Sequence, residues 1–97
     1  MNSPREEKPG DETLRELLGR VHERLSRAGE VDAQSRQLLG ALTRDIERAL
    51  GGGTHQDRVK EQSLPRLEAL AVRFEAQHPA LAQVLRELID ELGKAGI

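Results

Sequence analysis

The chain has 97 residues, with 15 basic and 17 acidic side chains for a net charge of −2 at pH 7, one aromatic residue and no cysteine. That suits one small domain and excludes disulfide staples, thiolate metal sites and cysteine nucleophiles. The two signs of charge are interspersed, so no large field exists to steer nucleic acid or an anionic membrane surface.

Leu, Ile, Val and Phe number 15, 3, 5 and 1, so about a quarter of the residues can build a core, nearly all of it leucine. A chain this short buries a limited share of its surface, and self-association is a natural way to bury more. No apolar run approaches the ~20 residues of a membrane span, and residues 1–10 lack the apolar segment of a signal peptide. Cytoplasm is the expected location.

Residues 1–10 hold two prolines, a glycine and a run of charges around one Met, which predicts a disordered tail. Thr13 and Glu16 then have the spacing of a capping box. Leu14, Leu18, Val21, Leu25 and Ala28 follow at helical intervals, widened by Leu17, with Glu16 to Arg20 and Glu23 to Arg27 as i,i+4 pairs opposite. Gly29 suits a left-handed C-cap, so the first helix is expected over 13–28.

Asp32 is a good N-cap for a second helix over 33–50, whose stripe is Leu39, Leu42, Ile46 and Ala49, flanked by Leu38 and Leu50. Gly40 inside it costs about 1 kcal/mol relative to Ala and reads as a close helix contact or a neutral replacement. The short link makes these two helices an antiparallel hairpin. Gly51, Gly52 and Gly53 end the second helix through backbone entropy. They are no phosphate-binding loop, because no Lys-Ser or Lys-Thr follows and no strand precedes.

Residues 54–62 are polar except for Val59 and are expected as loop or frayed turn. Ser63, Leu64 and Pro65 look like a helix start, giving a third helix over 64–77 with Leu64, Leu67, Leu70, Ala71 and Phe74 on its apolar face. At His78-Pro79 the helix either stops, with Pro79 opening a fourth, or continues through a kink. The cost of an interior proline favours the stop. The fourth helix, 79–93, turns Leu81, Val84, Leu85, Leu88, Ile89 and Leu92 inward, with Gly93 as C-cap and Lys94 near the negative end of its dipole. Gly96 and Ile97 could tuck the terminal side chain onto the bundle.

Chemistry is sparse. Glu75 and His78 have the Glu-x-x-His spacing by which helical bundles hold two metal ions, but such a site needs the motif twice plus two more carboxylates. A charged rim beside a capping histidine explains them more simply. His22 and His55 have no partner at ligand spacing, and Ser26, Ser35 and Ser63 lack an activating setting and read as surface or cap residues. The arginines at 15, 20, 24 and 27 are matched on the same helix by Glu12, Glu16 and Glu23, and no aromatic platforms accompany them. No catalytic, cofactor-binding or metal-ligating residue is assigned, and no cofactor is expected.

The capped leucine helix, the Asp32 restart, the junction of Phe74, Glu75, His78, Pro79 and Leu81, and the terminal Gly96 and Ile97 together resemble a family of short bacterial proteins described only as a domain of unknown function. The likeness covers about residues 13–97 and implies no activity, cofactor or partner. The expectation is an all-α domain over 11–97, two antiparallel helical hairpins forming a small bundle completed by dimerisation. Its expected role is that of a non-enzymatic interaction or oligomerisation module. A homo-oligomer or an unknown protein partner is expected, with no membrane and no nucleic acid. The alternatives are a small nucleic-acid-associated regulator and a dimeric metal-binding bundle.

Overall fold

Residues three and four apart share a face only in a helix, and each apolar stripe of the sequence forms one. The computed structural model describes residues 9–52 and 56–95, with side chains for 12–50 and 61–94. It contains four helices: α1 (Pro9–Ala28), α2 (Ala33–Gly52), α3 (Gln56–Glu75) and α4 (Pro79–Ala95). No strand occurs among the described residues, and no helix there is long and apolar enough to cross a membrane.

The helices form a ring in chain order. α4 packs extensively on both α3 and α1, α2 packs on α3, and α2 meets α1 only lightly, while the diagonal pairs do not meet. The hairpin of α3 and α4 is therefore the most extensive interface and the hairpin of α1 and α2 the thinnest. The side chains explain the difference. α1 buries Leu14, Leu17, Leu18, Val21 and Leu25, and α4 buries Leu81, Ala82, Val84, Leu85, Leu88 and Leu92. α2 buries Leu39, Leu42 and Ile46, but also Ser35 and Thr43. Each fully buried leucine contributes roughly 1.5–3 kcal/mol of transfer free energy, so the leucine-rich seams dominate. Phe74 is 3% exposed, within the same cluster.

The links before α2 and before α4 are short and specified. Gly29 has φ +82°, the left-handed conformation its missing Cβ permits, and the amide of Glu30 donates to the carbonyl of Ala28 at 2.9 Å. Asp32 caps α2: Oδ2 accepts from the Ser35 amide at 3.0 Å, and its carbonyl accepts from the Arg36 amide at 3.0 Å. The Ser35 amide is the main cause holding the Asp32 carboxyl below its ordinary value. At the other corner, the His78 amide donates to Phe74 at 2.7 Å, and the His78 carbonyl accepts from Ala82 at 3.0 Å. Helix three thus stops at Glu75, and His78 occupies the N-cap of a separate helix that Pro79 opens.

Several boundaries differ from those expected. α1 begins at Pro9, so Thr13 and Glu16 lie inside the helix and form no capping box. Proline in the first helical turn loses no hydrogen bond, so it starts the helix a turn before the hydroxyl can cap it. α2 runs through Gly51 and Gly52 before it ends. α3 begins at Gln56, eight residues ahead of the expected start, and Pro65 lies inside it. Arg58, Lys60, Glu61 and Gln62 are good helix formers by intrinsic propensity, so the lack of an apolar stripe there did not mean a loop. The missing amide of Pro65 leaves the carbonyl of Glu61 to solvent, which an exposed outer face permits. Gly93 is interior to α4, and Gly29 alone among the described residues has positive φ. The expected roles of residues 1–8, Gly53, His55, Gly96 and Ile97 lie outside the described residues.

Gly40 is no close-contact glycine. A Cβ there would meet nothing within 4 Å, and its φ is ordinary. Gly40→Ala is expected to stabilise the protein by about 1 kcal/mol, and Gly29→Ala to destabilise it by about 1–2 kcal/mol, as read by chemical denaturation. Equal signs for the two would contradict the backbone described above. Phe74→Ala is expected to cost about 3–5 kcal/mol. A variant melting within a degree or two of the parent would place that ring on the surface.

Candidate functional site

The end of α3 and the start of α4 bring together the residues that the sequence singles out, and their geometry gives each an ordinary partner. Glu75 ends α3 and its Oε2 accepts from Arg86 Nη2 of α4 at 2.9 Å, with both side chains exposed. His78 lies beyond the helix end, so it no longer shares a helical face with Glu75. Its ring meets Phe74 edge-on, with centroids 5.9 Å apart and planes at 81°. No group of three or more His, Asp or Glu suited to a metal ion exists among the described residues.

The other candidates are scattered. His22 Nε2 lies 3.3 Å from Glu47 Oε2, an exposed pair between α1 and α2. Ser26 is exposed, whereas Ser35 and Ser63 are buried, contrary to the surface or cap role expected of them. Ser35 is the third residue of α2, and its amide answers the Asp32 cap while its hydroxyl turns inward. Its Oγ makes no hydrogen bond of good geometry. Ser63 became interior because α3 starts far upstream of it. On α1, Arg27 pairs with Glu23 at 3.4 Å as expected, but Arg20 reaches Glu87 on α4 at 3.4 Å instead of Glu16. A shallow cleft of about 200 Å³ lies between the end of α1 and the start of α4, lined by Arg24, Arg27, His78, Pro79 and Leu81.

The outer face of α3 is different in kind. With 100° between successive residues, Ser63, Leu67, Leu70, Ala71 and Phe74 point inward, and Pro65, Ala69, Val72 and Ala76 fall roughly opposite. All four are exposed, Val72 by 63%, and Ala76 lies in the turn just past the helix. Leu38 at 37% is the other large hydrophobic residue left exposed among those described. Beside Val72, the half-buried Ile89 of α4 floors an open depression of about 410 Å³ with Glu68, Arg86 and Asp90 around it. Sequence reasoning passed over this face because it followed the strongest stripe. The signal was present in Val72, an apolar β-branched residue half a turn away from the phase of Leu67, Leu70 and Phe74.

His78→Asn is expected to shift stability by less than about 1 kcal/mol, since a better N-cap offsets the lost ring contact. Thermal melts together with elemental analysis of protein purified without chelators check this. A large drop in stability with loss of a stoichiometric ion would reinstate a metal site.

Residues 14–97 match a family described as a domain of unknown function (DUF4404). No curated protein and no solved structure matches the chain.

Proposed function

The chain belongs to the DUF4404 family, and from that premise we propose that it is a non-enzymatic helical interaction module that docks another helix on the outer face of α3. The observation that carries this reading is Val72, 63% exposed on a helix face whose other small apolar residues, Pro65, Ala69 and Ala76, line up with it. Apolar residues recurring at three- and four-residue intervals along one helix face are the anchors of helix-to-helix recognition. The premise for dimerisation changes accordingly. One chain does bury its four leucine stripes, since only Leu38 and Val72 among the described large hydrophobics stay exposed. Association would therefore serve recognition and not completion of the core. A nucleic-acid role has less support, because Arg20 and Arg27 of α1 are already ion-paired with Glu87 and Glu23.

A photo-activatable cross-linker introduced at position 72 in the native cell is expected to give a discrete adduct, and one at Arg44 on the outer side of α2 is not. Absence of an adduct at 72, or equal trapping at both positions, would sink the reading.

A further inference from the structure

The charges beside this seam carry information about what covers it. Pro65, Ala69, Val72 and Ala76 are separated by four, three and four residues, the d-a-d-a spacing of a coiled-coil seam. In that frame the g positions are Glu61, Glu68 and Glu75, and the e positions are Arg66 and Arg73. One flank of the seam is thus wholly acidic and the other wholly basic. Glu75 is engaged with Arg86, and Arg73 lies close enough to Asp32 to help lower its pKa, but Glu61, Arg66, Glu68 and Arg73 make no ion-pair contact within 4 Å among the described residues. Arg20, Arg27, Arg86 and Lys94 on the neighbouring helices all do.

We propose that the occupant is a second copy of this chain, its α3 lying parallel to the first about a two-fold axis along the seam. This rests on the reading of α3 as an interaction face. In a parallel pair each g residue meets the e residue five positions on in the other strand. Glu68 then faces the partner's Arg73, Glu61 faces the partner's Arg66, and the two-fold repeats both pairs. An antiparallel pair sets g against g and e against e, so glutamates oppose glutamates and arginines oppose arginines. The charge pattern selects a like chain running in the same direction. Ala69 and Ala76 are small enough for the two backbones to approach closely, and Val72 of each copy meets its counterpart near the axis. Because the seam lies opposite the buried face of α3, both cores remain undisturbed behind it. The seam spans only about three turns, less than the ~800 Å² per partner of a standard stable interface, so the dimer is weak and concentration-dependent.

Sedimentation of the full chain from about 10 μM to about 1 mM is expected to show a reversible monomer–dimer equilibrium. Glu68→Arg and Arg73→Glu should each weaken it about three- to tenfold by creating like-charged pairs, and the double variant should restore it. Both substitutions are on exposed positions, and circular dichroism of all three variants checks that the fold is intact. Orientation is read separately. The chain has no cysteine, so Gln62→Cys supplies a single thiol at an a position. Parallel strands bring two such thiols together, and mild oxidation should give a disulfide-linked dimer, whereas antiparallel strands would not. A monomer mass throughout the range, or a double variant weaker than either single one, overturns the proposal. An adduct trapped at position 72 with a mass other than twice the chain would refute the second copy while leaving the interaction face standing.

Discussion

The fold depends on the width of the apolar arc on α4. Leu81, Ala82, Val84, Leu85, Leu88 and Leu92 are all buried and Ile89 is half-buried, so this helix is apolar around more of its circumference than one neighbour can cover. It needs a helix on each side, and α1 and α3 take those places. Their own stripes are narrower and face α4. α2 then covers what remains on the far side of α3 and closes the ring. The corner at His78 and Pro79 sets this up, because it reverses the chain tightly enough for α4 to lie along α3 with Phe74 buried at the turn.

Much of that was legible in the sequence, and the failures have a common physical origin. The three strongest signals, Gly29 after α1, Asp32 before α2 and Pro79 at the head of α4, are local backbone chemistry that tertiary context had no reason to override. The start of α3 was misjudged because an apolar stripe shows where a helix is buried, not where it exists. Residues 56–62 are helical and largely polar, so periodicity is silent about them. Pro65 compounded the error, since a proline in an exposed interior turn looks in sequence like one in a first turn. Gly93 illustrates the reverse case: a glycine near a chain end suggests a cap, but a helix needs one only if it stops there.

The interaction face was illegible for a different reason. Ranking apolar residues by membership of the dominant stripe discards those out of phase, and Val72 and Ala69 were discarded in that way. Burial reveals them because it shows which apolar residues the core did not take. The charges on either side gain meaning only in that frame. As a sequence, Glu61 falls in an expected loop and Arg66, Glu68 and Arg73 carry no pattern of their own; around an exposed seam, these charges and Glu75 segregate by sign.

The polar residues inside α2 bear on how the molecule moves. Two of its five described buried positions are Ser35 and Thr43; Thr43 Oγ1 donates back to the Gly40 carbonyl at 3.0 Å, and the Ser35 hydroxyl is buried beside the Asp32 cap. Such contacts hold a helix less firmly than leucine does, because burying a hydroxyl carries a desolvation cost that burying a methyl does not. If α1, α3 and α4, joined by leucine, open as one cooperative unit, α2 would be a second unit with a lower opening free energy. Its amide protons would then exchange with solvent through partial openings in which α1, α3 and α4 stay together, well before the molecule as a whole unfolds.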